Sequence, residues 1–239
     1  YTFSDLTKGT TAPLRAGIKS VAFSPDASQI VYYISDGQSN ALFSSASDGR
    51  NQRSLISAFR LRGVVLSWPK SNLIAFTSKP SGTSAGSLWT LNAASLAIAK
   101  MIDGLYGLEV LYAPDGNSFI YSYTNLNGQN LKLAAFGRDG KTRDLDASTL
   151  IDKCAFKDSS TVICAIPGAW DEAAILPDDY YKKIAVTSDD IWQINVSTGG
   201  KTLLAPIGGD VMNLMINNSG TALFFILRNN QRLYQLNIE

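Results

Sequence analysis

Apolar and polar positions alternate in short paired runs along this chain, and the clearest copy is the stretch Ser20–Asp36, SVAFSPDASQIVYYISD. Val21 and Phe23 alternate with small or polar residues, as the positions of a half-buried strand do. Ser24-Pro25-Asp26 then predicts a turn, and Ile30–Ile34 is a second run of β-branched and aromatic residues. The pattern predicts a β-hairpin.

The hairpin recurs along the chain with a period in the mid-forties. The last apolar residue of its first strand falls at intervals of 45, 44, 44 and 60 residues, at Phe23, Trp68, Tyr112, Phe156 and Ile216. A third strand follows each hairpin, and the first four copies add a short fourth strand. Repeats of this length with four antiparallel strands are typical of β-propeller blades, in which each blade buries its apolar face against the next.

The sequence therefore predicts an all-β fold, a five-bladed β-propeller of four-stranded antiparallel blades in a single domain, residues 1–239. The blades are predicted at residues 17–57, 61–103, 105–146, 150–205 and 208–239 plus 9–15. The fifth copy lacks a fourth strand, and we expect the N-terminal strand Thr10–Leu14 to supply it by pairing with Arg232–Ile238. Such pairing closes the ring and removes two exposed sheet edges. Tyr1–Leu6 is left over, and a partial six- or seven-bladed ring stays open as an alternative.

The fourth copy carries an insertion, because its interval of 60 residues exceeds the usual 44 by 16. The excess maps to Pro167–Lys183, PGAWDEAAILPDDYYKK, between the second and third strands of that copy. Insertions in repeat folds loop out on one face, often the binding face, so this segment is a candidate recognition loop or lid. In the alternative interpretation it is a surface excursion whose aromatic side chains pack back on the blade. The candidate binding residues are Trp170, Asp171, Glu172, Asp178, Asp179, Tyr180 and Tyr181.

Composition narrows the possible chemistry. The chain has 21 Lys plus Arg against 20 Asp plus Glu and no run of like charge, which argues against a nucleic-acid partner. It has no histidine, so a Ser-His-Asp triad, a Cys-His pair and His-based metal sites are excluded. Asp178-Asp179 and Asp189-Asp190 offer oxygen ligands for calcium but lack the spacing of an EF-hand loop. We predict no catalytic residue, no metal and no cofactor.

Two cysteines, Cys154 and Cys164, lie in one predicted hairpin, IDKCAFKDSSTVICAIP. A three-residue loop at Asp158–Ser160 places them directly opposite on neighbouring antiparallel strands, with Cα atoms ~4.5–5.5 Å apart, close enough for a disulfide. The alternative is a pair of buried, reduced thiols. A disulfide favours an oxidising, extracytoplasmic compartment. The apolar runs are too short for a spanning helix, and the start at Tyr1 suggests a mature or trimmed ectodomain whose leader or N-terminal anchor is missing.

The stretches Ser24–Leu55 and Ala113–Leu145 resemble the WD40-like repeat of TolB-type periplasmic proteins and of propellers attached to prolyl peptidases. The second stretch keeps Pro114-Asp115-Gly116 and the turn Asp139-Gly140. Proline sets the first turn dihedral and aspartate caps the following amides, so the motif specifies a fold and carries no catalytic role. The resemblance implies a noncatalytic propeller that acts through protein partners, extracytoplasmic in the TolB case. The other domains of both families are missing from this sequence, so neither specific function transfers.

These observations predict a noncatalytic scaffold that binds a protein partner or an envelope component through its loops. We expect a monomer in the periplasm or at the surface of a bacterium, with a cytoplasmic location left open. The alternative is a carbohydrate-binding or glycoside-hydrolase-like propeller that uses its central cavity, which requires two facing carboxylates. Glu109 is the one acidic residue on a predicted innermost strand, and we interpret it as a channel-lining or solvated residue. A third possibility is a gating domain of a larger enzyme.

Overall fold

The computed structural model describes residues 1–35 and 40–238. Residues 36–39, at the end of the first predicted hairpin, and Glu239, at the end of the last predicted strand, lie outside the described residues. Within the described residues the regular structure is almost entirely antiparallel β, with one helical turn, α1 (Asp178–Tyr181), and one 3₁₀ turn (Ile151–Lys153). This confirms the all-β prediction. Within residues 1–35 and 40–238, no helix has the length and apolar character needed to cross a membrane.

The chain divides into two compact units, and the first comprises residues 1–79 and 87–103. It contains a small hairpin, a four-stranded sheet, and two complete strands, most of a third and part of a fourth from a seven-stranded sheet, each with its strands in chain order. The strands are β1 (Thr2–Asp5), β2 (Thr10–Pro13), β3 (Ile18–Phe23), β4 (Gln29–Ser35), β5 (Asn40–Ala46), β6 (Arg53–Ile56), β7 (Val64–Lys70), β8 (Leu73–Ser78), β9 (Ala85–Asn92) and the first part of β10 (Ile98–Tyr112). Its core includes Tyr33, Phe59 and Phe76, whose rings meet edge to face.

The second unit comprises residues 80–86 and 104–239. It contains the rest of β9 and β10, the three remaining strands of the seven-stranded sheet, and two further sheets, again with strands in chain order. The strands are β11 (Phe119–Thr124), β12 (Lys132–Phe136), β13 (Thr142–Asp144), β14 (Cys154–Phe156), β15 (Thr161–Pro167), β16 (Asp189–Asn195), β17 (Lys201–Gly209), β18 (Val211–Ile216), β19 (Ala222–Leu227) and β20 (Arg232–Asn237). Every predicted repeat thus has its hairpin and its third strand, and the division into blades of one domain stays a prediction.

The core of the second unit lies on both faces of the β14–β17 sheet. Side chains of a strand alternate between faces, and β15 is apolar at successive positions. Val162 and Cys164 pack in one cluster, whereas Ile163 and Ala165 pack in another with Val211 and residues of β19. All four β15 side chains are fully buried. A sheet covered on both faces is what a blade between neighbours requires.

The predicted pairing of Thr10–Leu14 with Arg232–Ile238 is wrong. Thr10–Pro13 pairs in register with Thr2–Asp5 and not with Arg232–Ile238, and the last sheet has three strands among the described residues. The Asp5 carboxylate accepts the backbone N–H groups of Thr7 and Lys8, both at 3.0 Å, and so forms the turn between the two strands. Pairing within a short loop loses far less chain entropy than pairing with the other end of the chain, which favours the local hairpin.

The cysteine prediction is confirmed. Cys154 and Cys164 are direct partners in the β14–β15 register and form a disulfide, with Cα atoms 4.1 Å apart. The Lys157 N–H donates to the Thr161 carbonyl at 2.9 Å, so the loop is the predicted Asp158–Ser160. Asp158 holds the loop by accepting the Ser160 N–H at 2.7 Å.

Candidate functional site

The insertion lies where the spacing predicts it, between β15 and β16 of the second unit. Apolar side chains of the insertion form a small buried cluster with apolar side chains from other parts of the second unit. The buried members are Leu131, Leu150, Ala174, Leu176, Tyr180 and Ala185. Because Ala174, Leu176 and Tyr180 of the insertion are buried in this cluster, the insertion is a packed substructure and not a free loop.

Two glycines of the second unit let neighbouring loops approach the insertion closely. A Cβ atom at Gly128 would lie 2.7 Å from Ile175 Cγ2, and one at Gly82 would collide with the Leu176 carbonyl oxygen. The resulting contacts are specific, because the Gly128 carbonyl accepts the Leu176 N–H at 2.8 Å and the Gly82 N–H donates to Asp178 Oδ2 at 2.6 Å. Hydrogen bonds to two neighbouring loops therefore hold the insertion in place at Leu176 and Asp178.

A buried lysine anchors the residues that follow α1. The side chain of Lys153 is 0% exposed, and four oxygens lie within hydrogen-bond distance of its ammonium nitrogen and share its three N–H groups. The acceptors are Asp189 Oδ2 at 2.6 Å, Val211 O at 2.8 Å, Thr187 Oγ1 at 2.9 Å and Asp210 Oδ1 at 2.9 Å. A buried charge needs such a complete set of partners, because desolvation otherwise destabilises it by several kcal/mol.

Tyr180 ties the insertion to this lysine. Its ring is 2% exposed and lies 4.8 Å from Lys153 Nζ and 4.2 Å from Arg228 Cζ, in cation–π contact with both. Its hydroxyl donates to Asp210 Oδ1 at 3.1 Å, and its carbonyl accepts Arg228 Nη2 at 2.6 Å. Arg228 also pairs with Asp210 at 3.4 Å. We call Lys153, Tyr180, Asp189, Asp210 and Arg228 the anchor network.

The charges of the anchor network balance as two cations and two carboxylates. Burial raises the pKa of Asp189, against the opposing effect of the Lys153 charge. Burial also acts on Asp210, but the hydrogen bond and charge of Lys153 prevail and hold the pKa of Asp210 below its ordinary value. The arrangement therefore suits a structural role, with the Lys153 ammonium group between the carboxylates of Asp189 and Asp210.

A second buried contact joins the insertion to β10. The Tyr181 hydroxyl donates to Glu109 Oε1, and Ser122 Oγ donates to Glu109 Oε2 at 3.4 Å. Burial, reinforced by the nearby Asp152 charge and partly offset by the two hydroxyls, raises the pKa of Glu109 to about 7. Glu109 is 8% exposed, so its interpretation as a solvated residue is wrong, and its interpretation as a channel-lining residue stays a prediction. Its partner Tyr181 is distant in sequence, which is why no local pattern indicated the burial.

The other end of the insertion opens onto a groove of about 510 Å³. Trp170 forms one wall, with its indole N–H donating to the Ser148 carbonyl at 2.9 Å and its ring edge-on to Tyr180 at 5.9 Å. Asp171 and Glu172 are exposed beside it. We call this concavity the insertion groove; its lining residues are Gln129, Asn130, Leu131, Ser148, Trp170, Asp171, Glu172, Ala174 and Leu176.

The seven candidate residues thus separate into two groups. Trp170, Asp171 and Glu172 come together at the groove. The other four do not reach it, because each contacts the protein itself. Asp178 accepts the Gly82 N–H, Asp179 accepts the Ile175 N–H at 2.8 Å, Tyr180 is buried, and Tyr181, still 46% exposed, bonds to Glu109.

Sequence reasoning missed the anchor network, because its members are dispersed over the insertion and several strands. The only local signal was the charged pair Asp152-Lys153, placed between the apolar residues Ile151 and Cys154. Among residues 1–35 and 40–238, no group of three or more His, Cys, Asp or Glu side chains is arranged to hold a metal ion.

No family model and no curated protein sequence matches this chain. Solved structures do resemble it. TolB from Acinetobacter baumannii is 16% identical with a TM-score of 0.57, and the match covers 99% of this chain and 59% of that chain. Hydrazine synthase from Kuenenia stuttgartiensis is 14% identical with a TM-score of 0.65, covering 99% and 70%. An acylaminoacyl peptidase from Pyrococcus horikoshii is 12% identical with a TM-score of 0.68, covering 98% and 39%.

These similarities support a TolB-like β-propeller fold. The chain spans 59% of the length of the Acinetobacter baumannii TolB chain and 39% of the peptidase chain. At identities this low they show a shared fold and do not carry over an activity, since one propeller architecture hosts many functions.

Proposed function

We propose that this chain is a noncatalytic scaffold of five consecutive blades that binds a protein partner or an envelope component through the insertion. The observation that carries the proposal is the asymmetry of that segment. One end is held by the anchor network, and the other presents Trp170, Asp171 and Glu172 at a groove. A recognition surface fixed before binding loses little conformational entropy when its partner arrives.

The surroundings of Glu109 favour a noncatalytic role over the glycoside-hydrolase alternative. Both of its carboxyl oxygens accept hydrogen bonds from protein hydroxyls, and the residue is nearly inaccessible. A glycosidic acid must contact the substrate oxygen that it protonates. We therefore assign Glu109 to holding Tyr181.

The Cys154–Cys164 disulfide supports an extracytoplasmic location, in the periplasm or at the bacterial surface. The test is to alkylate free thiols in intact cells that make the protein, digest it without reduction, and analyse the peptides by mass spectrometry. We expect the linked peptide that contains both cysteines. Alkylated Cys154 and Cys164 in the native compartment would contradict the location.

The binding proposal is tested by capture with the purified full chain as bait. We compare wild type with Asp171→Lys/Glu172→Lys and with a control, Gln52→Lys/Ser54→Lys, which adds positive charge at exposed positions of the other unit. Proteins recovered from an envelope extract are identified and then tested as purified partners. A partner that binds wild type and control but loses binding to the groove variant supports the proposal, and one that binds all three equally contradicts it.

A further inference from the structure

The insertion groove continues into a second concavity of about 280 Å³. The two share Leu131 and Ser148 in their linings, so they form one elongated surface along the loops that flank β12 and β13. The second concavity adds Lys132, Asp144 and Asp146 to the lining. An elongated, open surface of this kind fits an extended segment better than a compact small molecule.

Negative charge is in excess on this surface. Four carboxylates line it, from Asp144, Asp146, Asp171 and Glu172, against the single ammonium group of Lys132. Lys132 lies 3.8 Å from Asp144, and Lys201 pairs with Asp146 at 2.8 Å. Among residues 1–35 and 40–238, no cation pairs with Asp171 or Glu172. The two carboxylates at the Trp170 wall are thus free to pair with a cation from outside.

Trp170 adds an aromatic surface beside the carboxylates of Asp171 and Glu172, so the groove can distinguish cations by shape as well as by charge. Its ring is half-buried and held by the bond to Ser148 and the edge contact with Tyr180. An indole face beside carboxylates is suited to a guanidinium or ammonium group, because the ring quadrupole and the carboxylates attract the same cation. The anchor network uses this chemistry internally, where Arg228 lies over the ring of Tyr180.

We infer that the elongated groove binds an extended, basic segment of the partner protein, with an arginine or lysine side chain between Trp170 and the carboxylates of Asp171 and Glu172. This inference rests on the proposed function and names the chemistry of its partner. A neutral oligosaccharide would use the indole face and donate hydroxyl groups to the carboxylates, but it would bring no positive charge to them. The observations therefore favour a basic peptide over a sugar.

The test measures fluorescence anisotropy of a fluorescein-labelled hexapeptide of alternating arginine and serine, titrated with the full chain. The matched glutamate–serine hexapeptide is the control probe. We expect the arginine peptide to bind wild type, to bind Asp171→Asn/Glu172→Gln at least roughly tenfold more weakly, and to weaken as sodium chloride is raised. Gln52→Lys/Ser54→Lys, which changes the net charge by the same two units, should stay within about twofold of wild type.

Equal weakening in the groove variant and the charge control would show nonspecific attraction and overturn the inference. So would the absence of arginine-peptide binding to wild type. Binding of maltohexaose that is lost in the groove variant, without binding of the arginine peptide, would replace the basic segment with a carbohydrate. If the peptide fails while the capture experiment still shows groove-dependent partner binding, the proposed function stands and only the basic segment is wrong.

Discussion

The two ends of the insertion use similar side chains in different surroundings. At one end the ring of Tyr180 contacts both Lys153 and Arg228, and the carboxylates of Asp189 and Asp210 pair with those cations. At the other end Trp170 lies beside Asp171 and Glu172, with both carboxylates exposed and without a cation from the described residues. Aromatic and acidic residues therefore stabilise the fold where cations face them, and remain available for a partner where none does.

The largest expected effect comes from removing the central cation of the anchor network. Lys153→Met keeps most of the side-chain volume but leaves Asp189 and Asp210 buried with one fewer cation, and losing one member of a buried ion pair typically destabilises by about 3–5 kcal/mol. We expect a loss of this size in guanidinium unfolding. Lys183→Met, at an exposed position of the insertion, should change the unfolding free energy by less than about 0.5 kcal/mol.

If Lys153→Met lowers the unfolding free energy by less than about 1 kcal/mol, the stability of the anchored end does not depend on its buried ions, and the contrast between the two ends of the insertion fails. Equal losses in Lys153→Met and Lys183→Met would break it in the same way.

A second prediction concerns the pH dependence of stability, which we expect to arise from Glu109, the carboxyl group that accepts the Tyr181 hydroxyl. The pKa of this carboxyl rises from 4.5 to about 7 on folding, so the folded state binds a proton that the unfolded state releases. The corresponding stabilisation is complete below pH 4.5 and is lost as the pH rises through 7. It amounts to about 3 kcal/mol.

Glu109→Gln removes this titration. We therefore expect the unfolding free energy of Glu109→Gln, relative to wild type, to rise by about 3 kcal/mol between pH 4.5 and 8. Glu172→Gln makes the same substitution at the exposed end of the insertion and provides the baseline. Parallel pH profiles for wild type and Glu109→Gln would show that Glu109 is not held by burial in the folded state.

A smaller effect is expected from the Tyr180 hydroxyl. Tyr180→Phe keeps the ring contacts with Lys153 and Arg228 but removes the hydrogen bond to Asp210, which should lower the unfolding free energy by about 1 kcal/mol. Tyr180→Ala also removes the buried ring and should destabilise by about 3–5 kcal/mol. Similar losses for both variants would mean that the ring itself contributes little to the anchor.

Sequence reasoning succeeded where the determinants are local. Strand alternation and turn residues defined the repeats, and a single hairpin loop fixed the register that joins Cys154 to Cys164. The insertion was located by counting, because a fixed period makes any excess visible. Three of its seven candidate residues, Trp170, Asp171 and Glu172, line the groove.

It failed where the partners are distant in sequence. Lys153 finds its four acceptors on segments that follow it by dozens of residues, and Glu109 meets Tyr181 72 residues later. The error over Thr10–Leu14 has the opposite cause. The repeat pattern indicated a fourth strand for the last blade, but it carried no information on whether Thr10–Leu14 would pair instead with the nearby strand Thr2–Asp5.

The smallest expected effect on stability comes from substituting the two carboxylates at the groove. An unchanged unfolding free energy in that variant is itself informative. In Asp171→Asn the remaining Oδ1 still accepts the Ala173 N–H, and the Glu172 side chain is exposed, so Asp171→Asn/Glu172→Gln should stay within about 0.5 kcal/mol of wild type in guanidinium unfolding. The same variant is expected to lose partner binding. Such a separation of binding from stability would place recognition at the groove end, whereas a stability loss above about 1 kcal/mol would show that these carboxylates, like those of Asp189 and Asp210, hold the fold.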